Sequence, residues 1–318
     1  MTIFTQMRAV MLSLAGLVVL TNATAAQPPQ VRGVVQLKGS TVDGLRVAEL
    51  SGLAWDARSQ VLYGLSDRGH LIRFRLERTA DGHLQAVVPM SASALQDTRP
   101  GSGTKHTVDA EGLALWHPPG QEDGAPQLLV STEGLPQVLQ VDLEGRVQGA
   151  MELPAALGDA RRYRARNSML EAVTHSTRHG LLVAAEAALG DQDLSLHTVH
   201  GRSRRWSFAA HDPGQSRLKA MDVIDGERLV VLERSRVGKG KTKGLVNVLR
   251  LIDLERCAPQ QVCEAQDLLV LEPTDGSENF EGMVWLGGQQ FLLVSDSPGS
   301  AKAPNVFMLV DLSVPVRE

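Results

Sequence analysis

Asp109-Ala-Glu-Gly-Leu-Ala-Leu115, followed by Leu128-Leu-Val-Ser-Thr-Glu133-Gly134, returns later in the chain as Asn279-Phe-Glu-Gly-Met-Val-Trp285, followed by Phe291-Leu-Leu-Val-Ser-Asp296. An acid and a glycine open one apolar run, and a second apolar run ends in a hydroxyl residue and an acid. Looser copies start at Leu50 (LSGLAWD, then VLYGLSDRG), Leu170 (LEAVTH, then LLVAAEA) and Leu218 (LKAMDVI, then RLVVLERS). Five copies of one phrase mean an array of similar units, and such an array places equivalent residues of every unit in one region of space.

Each unit reads as a set of short strands separated by Gly, Pro, Asp and Asn. In the second unit these are Glu111–Trp116, Leu128–Ser131, Gln137–Leu143 and Val147–Leu153. Alternation with turn residues in the gaps is the pattern of strands joined by hairpins. No long stretch keeps the 3.6-residue period of an amphipathic helix, and only the segment near Arg161 has room for a helical turn. The fifth unit has three strands, Phe280–Trp285, Phe291–Ser295 and Val306–Leu312, while an unassigned strand, Val31–Leu37, lies near the N-terminus. A strand lent from one end to complete the last unit closes a ring and removes an exposed edge. The expectation is an all-β, five-bladed β-propeller closed by an N-terminal strand. A sixth blade would have to lie in Ser91–Thr107 or between Gly39 and Glu49. An open β-sandwich would not account for the repeat.

The first residues carry a different signal. Arg8 is followed by an apolar run from Ala9 to Leu20 and by small residues at Ala23-Thr-Ala-Ala26. This is the pattern of a secretory signal peptide, too short for the roughly twenty apolar residues of a membrane span. Residues 1–26 are read as the signal and residues 27–318 as a single propeller domain, periplasmic or secreted and monomeric. Cys257 and Cys263 are the only cysteines, and in an oxidising compartment two close cysteines pair as a disulfide that pins a local turn. The net charge of −4 gives no reason to expect a nucleic-acid partner.

Aligning the inner strands puts Ser51, Glu111, Glu171, Lys219 and Glu281 at one position. Aligning the ends of the second strands gives a further acidic rank that includes Asp67, Glu133, Glu186 and Asp296, with Arg68 and Arg234 beside it. Clustered carboxylates are costly unless they hold a cation, pair with bases or stay hydrated. Hard oxygen donors favour Ca²⁺ or Mg²⁺ over zinc. Each acid also has a purely structural reading, as a cap on neighbouring backbone. Two basic loops, Arg161–Arg166 and Arg234–Lys243, could grip an anion or be simple solvated loops. The glycine-rich Pro100–Lys105 lacks nucleotide-loop spacing. No nucleophile elbow is present, although His70, His106 and His175 are placed near the expected mouth.

Taken together, Gly64-Leu-Ser-Asp-Arg-Gly69, Asp109-Ala-Glu-Gly112, Asn167 with Glu171-Ala172, Leu232-Glu-Arg234, Asn279-Phe-Glu-Gly282 and Val294-Ser-Asp296 resemble the phytase-like family, described by the esterase-like activity of phytase. The resemblance runs from about Leu50 to Leu312. It implies an exported propeller linked to the hydrolysis of phosphate esters or other esters, with carboxylate-bound calcium as a loose parallel. On that basis Asp67, Asp109, Glu111, Glu133, Glu171, Glu281 and Asp296 are the expected Ca²⁺ ligands. Glu111, Glu281, Arg68 and Arg234 are the expected catalytic residues, and Arg68, Lys219, Arg234 and Asn167 the expected contacts to a small phosphate ester or other anion. Ser51, Lys219 and Ala172 depart from the repeated pattern. The rival expectation is a non-catalytic propeller that binds a ligand or a protein partner.

Overall fold

A computed structural model of the chain describes residues 28–97, 109–121, 124–238, 244–273, 278–296 and 303–315. Residues 1–26, read as an export signal, Pro100–Lys105, His106 and the lysines at 239, 241 and 243 therefore lie outside the described residues.

The described strands form five antiparallel sheets arranged as the blades of a propeller. Blade 1 runs through Leu50–Asp56, Val61–Ser66, His70–Arg78 and Leu84–Ala94 from the axis outward. Blade 2 follows with Ala110–Trp116, Gln127–Thr132, Gln137–Val141 and Val147–Ala150. Blade 3 contains Leu170–Ser176, Gly180–Ala185, Leu196–His200 and Arg205–Ala209. Blade 4 contains Arg217–Ile224, Arg228–Val237, Gly244–Asp253 and Ala265–Leu271. Blade 5 has Phe280–Gly287, Gln290–Ser295 and Asn305–Asp311, and the N-terminal Gln30–Leu37 pairs antiparallel with the last of these to complete it. The ring is thus closed by strand exchange, as expected from the missing fourth strand. Among their described residues, the candidate stretches for a sixth blade carry a two-stranded ribbon, Thr41–Val42 with Leu45–Arg46, an extension of the outer strand of blade 1 and an isolated bridge from Gln96 to Arg146.

Each blade buries both faces, so the strand sequences are nearly continuous apolar runs. The core is divided into seams between neighbouring blades. One seam packs Leu53, Leu62 and Phe74 of blade 1 on Leu292, Val294 and Phe307 of blade 5. Phe74 and Phe307 meet edge to face there, with ring centroids 5.6 Å apart. Equivalent seams join blades 1 and 2, 2 and 3, 3 and 4, and 4 and 5.

The Glu-Gly phrase has a geometric cause. In four blades the pairing of the first two strands skips one residue, at Ser51, Glu171, Lys219 and Glu281, and in blade 2 the register shifts across Glu111 and Gly112. A bulge of this kind re-aims one side chain while the ladder continues around it. The next residue is Gly52, Gly112, Ala172, Ala220 or Gly282, and it faces the neighbouring inner strand. A Cβ built on Gly112 would lie 2.5 Å from the Glu171 carbonyl oxygen and 2.6 Å from Ser131 Oγ. Below this level Leu53, Leu113, Val173, Met221 and Met283 close the axis, leaving a space of about 10 Å³. The propeller therefore has a cup at one end rather than an open tunnel.

One connection departs from the repeat. Between its third and fourth strands blade 4 sends out Val262–Cys263, which pairs in parallel with Arg205–Ala209 at the rim of blade 3. The Cys257–Cys263 disulfide closes that loop. The turn it pins is thus also a strap across two blades.

Gly112→Ala should lower the unfolding free energy by about 1–3 kcal/mol, the range for forcing an extra methyl into a packed site. Gly158→Ala, where an added Cβ meets nothing within 4 Å, should stay within about 0.5 kcal/mol of the parent. Urea unfolding of the two variants compares them directly, and equal losses would contradict the close approach of the inner strands.

Candidate functional site

The bulged residues point into the cup and form an inner ring of Ser51, Glu111, Glu171, Lys219 and Glu281. The residues after the aligned ends of the second strands form an outer ring of Asp67, Glu133, Glu186, Arg234 and Asp296. Nine of the ten positions are charged, and all ten line one cavity of about 220 Å³. Backbone hydrogen bonds hold the two rings in register. The N–H of Asp67, Glu133, Glu186 and Asp296 donates to the carbonyl of Glu49, Asp109, Met169 and Asn279, the residues that enter the inner strands. Asp67 and Glu186 in turn accept, through their carbonyl oxygens, from the N–H of Ala110 and Leu218 in the next blade.

Blade 4 carries the opposite charge in both rings. Lys219 is 6% exposed and its Nζ pairs with Glu171, with Glu186 Oε1 at 2.9 Å and with Glu281 Oε2 at 2.6 Å. Arg234 pairs with Glu281, donates to Asn279 Oδ1, and lies 4.0 Å from Glu186 Oε1. Asn279 Nδ2 donates to Glu281 Oε1 at 2.7 Å and to Asp296 Oδ2 at 3.3 Å. Ser168 Oγ donates to the other oxygen of Glu186 at 2.8 Å. The blade 3, 4 and 5 side of the cup is therefore a closed network of ion pairs.

The opposite side has fewer partners. Ser51 Oγ donates to the Ala110 carbonyl at 2.8 Å and brings no charge. Glu133 Oε1 accepts from the Met169 N–H at 2.9 Å. Asp67 Oδ1 and Asp296 Oδ1 are buried and have no hydrogen-bond partner among the described residues.

This asymmetry separates the acids by protonation. Burial, followed by the charges of Glu171 and Glu133, pushes Glu111 well above the usual carboxylate range. Burial and the charge of Glu171 push Glu133 up to about 8. Burial, then the charges of Glu49 and Asp296, push Asp67 up to about 7. Burial would also raise Glu186, but Lys219 and Ser168 overcome it and hold that carboxyl low. Burial disfavours the Lys219 ammonium, yet Glu171 and Glu186 outweigh it and raise its pKa. One cup thus holds protonated and ionised carboxyls side by side, an arrangement suited to acid–base chemistry.

The sequence-predicted residues fall into three groups. Asp67, Glu111, Glu133, Asn167, Glu171, Lys219, Arg234, Glu281 and Asp296 line the cavity together. Asp109 stands at the rim, exposed, and Arg68 is 60% exposed on its side chain and paired with Glu49. Neither lines the cavity, because the outer-ring position takes the preceding residue in blade 1 and the inner-ring position the second residue after Asp109 in blade 2. His175 sits at the far end of its strand, its ring tilted against Trp116 at a centroid distance of 6.2 Å, and His70 is not among the residues lining the cavity. Glu49 was missed, although it occupies the position equivalent to Asp109 and Asn279. It lines the cup in a left-handed backbone conformation, φ 55°.

A divalent ion does not fit the centre of this ring. Among the described residues no three His, Cys, Asp or Glu side chains are grouped so as to hold a metal. The three carboxylates that converge are gathered around the Lys219 ammonium. Arg234 and Arg68, expected to bind phosphate, are each engaged by a glutamate.

The raised pKa of Glu133 has a consequence for stability. Its folded value of about 8 lies above the ordinary 4.5, so its contribution is fully present below pH 4.5 and lost as pH rises through about 8. Glu133→Gln, which keeps the acceptor for Met169, should raise the melting temperature by several degrees at pH 9 and little at pH 5. A uniform shift at both pH values, in thermal unfolding, would contradict the protonated state.

Comparison with known proteins adds two similarities. The structure is similar to that of a gluconolactonase from Xanthomonas campestris, at 12% identity and a TM-score of 0.40, over 91% of this chain and 99% of the other. No curated protein matches the sequence. The family model described as esterase-like activity of phytase matches residues 45–297, a span that takes in all five inner strands and both rings. The chain belongs to the phytase-like family.

Proposed function

We propose that this protein is an ester hydrolase whose active site is the charged cup. The observation that supports this most directly is the convergence of ten equivalent positions into one cavity whose carboxyls are divided between protonated and ionised forms. Asp67 is the general base in this reading. It titrates near neutrality and has one oxygen without a protein partner, so it can take a proton from water attacking the ester carbonyl. Glu111, held protonated, returns a proton to the departing alkoxide. Lys219 and Arg234 provide the fixed positive charge that steadies the oxyanion of the tetrahedral intermediate.

The charge balance bears on the substrate. Among the described residues eight carboxyl groups, only some of them protonated, and two cations line the cavity, so a carboxylic ester that is neutral or cationic enters at lower electrostatic cost than a phosphate dianion. We further place the protein outside the cytoplasm, in the periplasm or secreted. The disulfide and the N-terminal signal pattern support that placement.

Purified mature protein should hydrolyse p-nitrophenyl acetate or butyrate in the presence of EDTA, with a rate that rises with pH through about 7 and falls in the alkaline range as Glu111 ionises. Asp67→Asn should reduce kcat at least about 10²-fold. Calcium-dependent release of phosphate from p-nitrophenyl phosphate, without esterase activity, would favour the phosphoester expectation instead. Turnover of neither substrate class would favour the ligand-binding alternative.

A further inference from the structure

At the end of the propeller opposite the cup, blade 1 carries a second cavity, of about 480 Å³. Pairing of Leu50 with Ser66 and of Asp56 with Val61 puts Trp55 and Val61 at that far end. The third strand of the blade arrives there with Arg75, Leu76 and Arg78. Trp55 and Leu76 pack against the seam between blades 1 and 5, and Met90 of the outer strand is 43% exposed beside them. With Val61 these side chains give the cavity an apolar wall. Among the described residues no acid lines it, whereas the cup is mostly acidic. Its size is that of a small-molecule site, roughly 300–1,000 Å³.

The two cations of this cavity are not equivalent. Arg75 Nη2 pairs with Glu77 Oε1 at 2.7 Å, so its charge is answered within its own strand. Arg78 Nη1 instead donates to the neutral amide of Gln290, at 2.8 Å from Oε1. Nε2 of that amide donates to Asp311 Oδ1 at 3.2 Å, and Asp311 Oδ2 accepts from Arg32 Nε at 2.6 Å. Three residues of blade 5 thus hold the Arg78 guanidinium at the cavity, and among the described residues no carboxylate pairs with it. Its Nε and Nη2 form the edge of a guanidinium that matches the two oxygens of one carboxylate.

We propose that this cavity is a second ligand site, for a small amphiphilic monocarboxylate. The apolar chain lies against Trp55, Val61, Leu76 and Met90, and the carboxylate pairs with Arg78. One guanidinium without an acidic partner fits one negative charge, and a flexible thioether in the wall adapts to an unbranched chain. The site and the cup lie at opposite ends of the blades, and the inference does not depend on the ester reading.

The test titrates the mature protein with decanoate, below its micellar concentration, in a calorimeter. Acetate keeps the charge without the chain, and decyltrimethylammonium keeps the chain with the opposite charge. Decanoate should bind saturably, one per chain, and at least about tenfold more tightly than either control. Arg78→Gln should weaken decanoate binding at least about tenfold, the loss of a charge-assisted pair, and Met90→Asp should weaken it similarly. Both positions are exposed, so thermal unfolding of the two variants should match the parent's. Asp67→Asn, in the cup, should leave decanoate binding unchanged. Absence of saturable decanoate binding, or equal binding of decyltrimethylammonium, would overturn the proposal. So would binding that survives both Arg78→Gln and Met90→Asp, or that is lost in Asp67→Asn, since the chain would then sit elsewhere.

Discussion

Everything at the functional end of this molecule depends on five inner strands approaching one another closely around the axis. Each must turn one side chain into the cup and then present a residue small enough for the next strand to pass. The bulge satisfies the first requirement, and glycine or alanine at the following position satisfies the second. The repeated Glu-Gly phrase is therefore one device with two parts. The acid is displayed because the ladder skips it, and the glycine is there because a side chain would strike the neighbouring backbone. The apolar plug beneath then converts the axis into a shallow, enclosed site.

Such a device, repeated without variation, would gather carboxylates that repel one another with no counter-charge. The chain resolves this at blade 4, where lysine and arginine replace the acids of both rings. The resolution is local. It neutralises the side formed by blades 3, 4 and 5, and leaves Asp67, Glu111 and Glu133 in an environment where the proton is the available cation. The site's chemistry thus follows from an asymmetry in a symmetric fold. Glu186, held low by Lys219, and Asp67, Glu111 and Glu133, pushed up by burial, share one cavity.

The blades, the borrowed closing strand and both rings were legible in the sequence, because short strands with both faces buried leave dense apolar runs and the repeat aligns their ends. Glu111, Glu171, Lys219 and Glu281 could be assigned to one ring by alignment alone. What alignment could not supply was distance. It placed Asp109 and Arg68 with the site, whereas Arg68 stands one residue past the outer-ring position and Asp109 precedes the inner strand, and neither lines the cavity. It set Lys219 down as a break in the ring, when the side chain gathers Glu171, Glu186 and Glu281 around its ammonium. Glu49 was overlooked because it precedes the strand, although the same position in other blades carries Asp109 and Asn279. The strap at Val262–Cys263 left no signal, since two residues pairing across blades lack any periodicity.

The account rests on the ammonium of Lys219 being seated among Glu171, Glu186 and Glu281. A crystal structure of the mature protein at neutral pH, soaked in Mn²⁺ and measured for anomalous scattering, examines that position directly. Lys219 Nζ should lie within hydrogen-bond distance of all three carboxylates, with no anomalous peak between them. A manganese peak at that point, with the lysine turned away, would contradict the account.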